Sequence, residues 1–341
     1  GQAYTAARVS SMDFTGGPQL LAFIRRGDGG DTLLLKASHI PCDAGGVKEI
    51  SADLAMIYTR LESDPGFVPE PRLGGSRAGW QILKFLPWYA YLVAPLRLLM
   101  SLWRGMVPFK TRLIELPDGP RDSFEYVTRE FGQERVRVLA GYAKANGATL
   151  NDMMMAAFYR AIDALADRDG GGLRVQNTID LRKWYIPGGR PEALCNLSSF
   201  EQPYLVGNLG SDFAGTLRLV SSLTRGYKRW FPGLGMFVTA SVMEHLSYRR
   251  LRSMFAGIFG GRLMRNMPPM LTNLGDIPPG AATFGTQAIS AQMLVPPIYA
   301  PLCGSGLSGY NGTLLLSSGV QPSAVPAMIR FYDQVESELP V

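Results

Sequence analysis

The sequence predicts a mixed α/β protein large enough for two lobes, and three observations carry that expectation. Short apolar runs bounded by Gly, Pro or Asn read as strands. Longer segments with helical apolar spacing lie between them, and the two kinds do not alternate strictly. At 341 residues and 46% hydrophobic content, the chain can fill the core of two ordinary domains or of one large two-lobed unit. Only 18% of residues are charged, while 39 glycines and 24 prolines punctuate the elements closely, so disorder is not the main expectation.

Taken in order, "TLLLKASH" (32–39) reads as a short buried strand. "GWQILKFLPWYAYLVAPLRLLMSLWR" (79–104) is nearly apolar over the length of a membrane span, but Lys84, Pro87, Pro95 and Arg97 interrupt it. A proline costs about 3 kcal/mol inside a helix, and a central Lys or Arg a further ~3 kcal/mol in a bilayer. The segment is therefore expected to form core helices of a linker between lobes, with an interfacial pair suited to a long acyl chain as the alternative.

"SFEYVTREFGQERVRVLAGYAKANGA" (123–148) has helical spacing and ends on Asn-Gly; "TLNDMMMAAFYRAIDALADRDGGG" (149–172) starts with a capping Thr and reaches a glycine cluster. "LRVQNTIDLR" (173–182) and "GTLLLSSGV" (312–320) are further strands. "YRRLRSMFAGIFGGRLMRN" (248–266), with Arg249, Arg250, Arg252, Arg262 and Arg265, reads as a helix with a solvated basic face; the same pattern can rest on anionic lipid.

The formal charge of +6 is spread along the chain, and no RNA-reading or zinc-finger spacing accompanies it, so nucleic acid is not expected as a partner. Cys42, Cys195 and Cys303 lie far apart and form no C-x-x-C, which fits a reducing cytoplasm. With two histidines and three scattered cysteines no familiar metal site is expected. "GSGLSG" (304–309) satisfies a dinucleotide pattern, but an apparent strand rather than a helix follows it, so it is expected to be a glycine-rich turn before an Asn311-Gly312 hairpin.

"SHIPCDAG" (38–45) carries His39 and Asp43 out of the first strand. By residue type alone His39 is by default a structural histidine, and Cys42 beside it is a second candidate for chemistry. The stretch resembles the H-H-x-x-x-D-G motif of the chloramphenicol acetyltransferase-like superfamily of CoA-dependent acyltransferases. That group includes condensation domains, wax ester synthases, alcohol acetyltransferases and polyketide-associated acyltransferases. Other segments fall in the family's order: "TLNDMMMAAFYRAI" (149–162) resembles the helix opening the second lobe, and "NTIDLR" (177–182) a strand bearing an arginine that pairs with the motif aspartate. "LTNLGDIP" (271–278) resembles the Asn-Leu-Gly strand and "GYNGTLLLSSGV" (309–320) the late hairpin.

The resemblance implies a two-lobed fold with mixed sheets and an active site at the lobe interface. Residues 1–120 would be the remainder of the N-terminal lobe, with the motif and the apolar linker, and 121–341 the C-terminal lobe. It implies transfer of an acyl group from a thioester to an alcohol or amine, with His39 as general base and Asp43 and Arg182 supporting the site. Ser38, Gly45, Asn273 and Gly275 would lie near substrate. No bound cofactor or metal is implied; a coenzyme A or phosphopantetheine thioester is the co-substrate. Partners would be the small acyl donor and acceptor, with a carrier protein and peripheral membrane contact as further expectations. A peptide-forming condensation domain or a non-catalytic scaffold are the rival roles. Ser38 stands where the family has its first histidine, and Ala44 where it has glycine. The motif also comes early, so the chain is expected to be a fragment or processed piece with a separate N-terminal polypeptide as partner.

Overall fold

The computed structural model describes residues 2–10, 12–13, 15–71, 74–106, 111–166, 171–205, 209–259 and 267–341. A short helix α1 (Gln2–Val9) precedes an antiparallel hairpin of β1 (Leu20–Arg25) and β2 (Thr32–Ala37), followed by α2 (Ala44–Ser63) and α3 (Ala90–Met106). Then come β3 (Glu125–Phe131), α4 (Gln133–Ala145), α5 (Leu150–Leu165), β4 (Leu173–Arg174), β5 (Gln176–Asp180), the short α6 (Leu181–Tyr185), β6 (Ser198–Glu201) and β7 (Tyr204–Leu205). The chain continues through α7 (Phe213–Lys228), α8 (Leu234–Met243), α9 (Tyr248–Phe259), β8 (Met270–Asp276), β9 (Thr283–Phe284) and β10 (Thr286–Gln287). It ends with β11 (Gly304–Tyr310), β12 (Thr313–Val320) and α10 (Val325–Glu338).

The main sheet has six strands in the order β3-β12-β11-β8-β5-β6. The β11–β8 and β8–β5 pairs are parallel and the rest antiparallel, so the sheet is mixed as expected. β11 and β12 are buried at almost every position, as strands covered on both faces must be. α5 is also buried from Met153 to Tyr159 and again at Ala161 and Ile162, with Arg160 between them paired to Glu338, and runs beside α7 and α10. Its start is the capping box foreseen at Thr149, with Asp152 returning the bond to the Thr149 N–H. A second, smaller core joins Ile82, Leu86 and Ala90 to Ile179, Leu181, Leu197, Leu234 and Phe237.

Four expectations are corrected. The helix expected over 123–148 is a strand and a helix: Glu125–Phe131 pairs along its whole length with β12, and only Gln133–Ala145 is helical, so tertiary pairing overrides the local spacing. "GSGLSG" is not a turn but β11 at the centre of the sheet. Its glycines serve close packing, since a Cβ on Gly304 or Gly306 would run into Ile298 or Val295 on the chain laid across the strand. The Asn311-Gly312 hairpin does form, with φ of 47° and 77° matching a type I′ turn. Arg182 is not on a strand; Asp180 caps a new helix by accepting the Arg182 N–H at 3.1 Å.

The fourth correction concerns 79–104, which is less buried than core helices would be. It splits at Pro87 into a 3-10 turn, Gly79–Phe85, and α3, with Pro95 accommodated inside α3. Trp88 is 76% exposed and Leu92 70%, and Tyr91, Leu96 and Leu99 are also exposed. Among the described residues no helix is long and apolar enough to cross a membrane. The basic stretch forms α9 with Arg249, Arg250 and Arg252 exposed; Arg262 and Arg265 lie outside the described residues.

Candidate active site

β2 ends at Ala37, and the chain makes one turn before α2 begins at Ala44. Asp43 ends that turn as the N-cap of α2, its Oδ1 accepting the Gly46 N–H at 3.0 Å. Its Oδ2 accepts from Arg182 Nη1 at 2.7 Å, from the Leu197 N–H at 2.7 Å and from Ser198 Oγ at 3.3 Å. The two side chains are 2% and 4% exposed, so a helix cap doubles as one half of a buried ion pair. Burial pushes the Asp43 carboxyl up, but the Arg182 bond and charge, with the Gly46 and Leu197 N–H groups, outweigh it and hold the carboxyl below its ordinary range. Arg182 also donates Nη2 to the Cys195 carbonyl at 2.5 Å.

Gly45 is the second residue of α2, and a Cβ there would sit 3.1 Å from Arg182 Nη1, so the small residue makes room for the guanidinium. Ala44 is the first helical residue. Ser38 is 1% exposed, and its hydroxyl accepts the Ile40 N–H at 3.3 Å, so it serves the turn. Cys42 is 2% exposed, and burial pushes its thiol up, which keeps it protonated and argues against a nucleophilic role.

His39 is exposed at the tip of the same turn. Asn196 Nδ2 donates to the His39 carbonyl at 3.0 Å and lies 3.3 Å from Nδ1, while Asn196 Oδ1 accepts the Ser198 N–H at 3.1 Å. Those bonds orient the amide and leave Nε2 without a partner among the described residues. Residues 195–198 thus touch His39, Asp43 and Arg182 at once. Sequence reasoning missed Asn196; the available signal was a polar Cys-Asn at the entrance to a strand.

Asn273 and Gly275 form a second group at the end of β8. Asn273 Nδ2 donates to Asn151 Oδ1 at 3.0 Å, and its Oδ1 accepts the Gly275 N–H at 2.8 Å. Gly275 has φ +71°, a conformation that favours glycine, where the β8–β11 register slips by one residue. Two lysines not picked out from sequence, Lys48 on α2 and Lys183 on α6, converge there. Lys48 Nζ donates to the Leu274 carbonyl at 2.5 Å, and Arg182 Nη1 lies 3.5 Å from Asp180, so α2 and α6 link the two groups. Among the described residues no group of three His, Cys, Asp or Glu side chains is arranged to hold a metal.

No protein-family model matches the chain, and no curated protein does. Solved structures do. The epimerization domain from the third module of tyrocidine synthetase B superposes at TM-score 0.60 and 15% identity, over 96% of this chain and 73% of that one. Polyketide synthase associated protein 5 from Mycobacterium tuberculosis does so at 0.57 and 13%, over 96% and 78%. The first condensation domain of the CDA synthetase gives 0.59 and 16%, over 95% and 68%. The nonribosomal peptide synthetase FmoA3 also matches, at TM-score 0.64 and 15% identity, and the chain spans 34% of its length. At these identities the likeness is one of fold: the chain has the two-lobed, mixed α/β chloramphenicol acetyltransferase-like fold of these structures.

Proposed function

We propose that the protein transfers an acyl group from a thioester, on coenzyme A or on a phosphopantetheine arm, to an alcohol or amine. The observation that carries this reading is the exposed imidazole of His39 on a turn whose other end is fixed by the buried Asp43–Arg182 pair. Nε2 of His39 takes the proton from the acceptor as its oxygen or nitrogen attacks the thioester carbonyl. The tetrahedral intermediate then expels the thiolate, which takes the proton back from the imidazolium, so no bond to the protein forms. This step needs the lone pair on Nε2 and the ring proton on Nδ1, whereas Asn196 presents its Nδ2 to Nδ1 and is held that way by the His39 carbonyl and the Ser198 N–H, so the imidazole acts once its ring has turned away from Asn196.

Asp43 has all its contacts inside the protein and is given no proton-transfer role. The lobe division near residue 120, and an active site between the lobes, belong to the same proposal. The neighbouring peptide-synthetase domains favour a second reading, condensation between carrier-bound substrates, with a carrier protein as partner. The assay offers the purified chain a panel of acyl-CoA and acyl-carrier thioesters with alcohol and amine acceptors, and follows release of free thiol. Acceptor-dependent release that His39→Ala abolishes supports transfer. No release above background from any pair, by folded protein, leaves the binding-scaffold role.

A further inference from the structure

At the carboxyl ends of the parallel strands β5 and β8, the crevice position of open α/β sheets, two cations meet without a counter-ion. A Cβ built on Gly275 would lie 3.4 Å from Lys48 Nζ and 3.5 Å from Lys183 Nζ, with no other atom within 4 Å. Among the described residues neither lysine has a carboxylate within ion-pair distance. Asp180 is turned to the Arg182 N–H and guanidinium, and Asp276 toward the backbone at Gly309. Lys48 spends one N–H on the Leu274 carbonyl and has two left. Burial, and then the charge of Lys183, push its amine down to about 8; the attraction of Asp180, Asp276 and Asp43 does not make up the difference. Asn151, in the first turn of α5, holds Asn273 beside this point.

We propose that Lys48 and Lys183 form a binding site for an anionic oxygen group of a substrate, phosphate or carboxylate, seated over Gly275. As a substrate subsite this rests on the acyl-transfer reading above, but anion binding itself does not depend on His39. An anion there would accept from both ammonium groups and relieve their repulsion. The lack of a side chain on Gly275 leaves that space open, and any Cβ would fill it. A phosphate would come from a pantetheine arm, and a carboxylate from the acyl donor or acceptor.

The test titrates inorganic pyrophosphate and, separately, succinate into the full chain at low salt by calorimetry. It compares the native protein with Lys48→Met, Lys183→Met, the double variant and His39→Ala; circular dichroism checks that each is folded. The expected result is binding of at least one probe, weakened about tenfold or more by each single change. It should be lost in the double variant, kept in His39→Ala, and partly restored by Lys48→Arg and Lys183→Arg. Preference for pyrophosphate assigns the site to a phosphate, and preference for succinate to a carboxylate. No binding of either probe by native protein, or equal binding by the folded double variant, overturns the site. If the double variant loses binding while the native protein transfers no acyl group, the site stands and the transfer reading falls.

Discussion

Two charged clusters lie side by side in this protein and are built on opposite principles. Around Asp43 the charges are answered: carboxylate and guanidinium, 2% and 4% exposed, close on each other, and two backbone N–H groups and a hydroxyl donate to the carboxylate. Around Gly275 two ammonium groups face each other with none of their neighbouring carboxylates in contact. The first arrangement holds the turn of His39 in place and is closed to solvent; its one buried N–H without a hydrogen bond, Arg182 Nε, lies 3.7 Å from Glu49 Oε1. The second leaves two cations unpaired, and the proposed anion would complete it. Burial of charge is thus no guide to function by itself; whether the charge is already satisfied is the better one.

The largest effect should fall on the residue that the satisfied cluster supports. His39→Ala is expected to lower turnover by about 10²- to 10⁴-fold, while His245→Ala, on an exposed position after α8, leaves it unchanged. Full activity in a folded His39→Ala would show that the braced turn serves something other than proton transfer. Next, Asp43→Ala and Arg182→Ala should each destabilise by about 3–5 kcal/mol in denaturant titrations, and the double change by clearly less than their sum. Strict additivity would remove the pair from the account. The Asp43 carboxyl is held below its ordinary value in the fold, so its contribution is present above the unfolded value of 3.8 and is lost as pH falls further. Acid titration of native protein against Asp43→Asn reads that loss.

A gentler probe of the same cluster is Gly45→Ala, whose methyl would meet the guanidinium at 3.1 Å. A cost of about 1–3 kcal/mol is expected from that crowding. The smallest effect belongs to the unfinished cluster and has the opposite sign. Lys48→Met should stabilise the anion-free protein by roughly 1 kcal/mol near neutral pH, once solvent screening is allowed for. The Lys48 amine titrates near 8 in the fold and near 10.5 unfolded, so native stability should rise across that window. The variant should lack the rise. A destabilised Lys48→Met would mean that the Leu274 hydrogen bond outweighs the repulsion and that the two clusters differ less than described.

The parts of this architecture written in local sequence were legible. The cap of α5 at Thr149, the Asn311-Gly312 hairpin and the strand leading to His39 each depend on residues within a few positions of one another. The Asp43–Arg182 pair, 139 residues apart, came from a family pattern rather than from any local signal, and the geometry shows it plainly. What stayed hidden depends on strand pairing. Glu125–Phe131 is a strand because β12 is beside it, and "GSGLSG" is a central strand because Val295 and Ile298 fill the space its glycines leave. The convergence of Lys48 and Lys183 needs three elements, α2, α6 and the slipped end of β8, and no short window of the chain contains all three.

The clamp at residues 195–198 limits how the chain can change length. Four consecutive positions set the spacing among the imidazole, the carboxylate and the guanidinium, so inserting a residue between Cys195 and Ser198 would disturb all three partners together. A few residues upstream, the link between α6 and the clamp passes through Gly188, which is exposed and has φ +71°, and nothing packs where its Cβ would be. At Gly188 the link has room for added length, whereas nearer the clamp Glu192 is tied to Ser76, Gln81 and Lys84. A fluorescent peptide or affinity handle spliced in at Gly188 would sit a few residues from Arg182 on one side and from Asn196 on the other. It would report on the turn of His39 without replacing any atom that holds it.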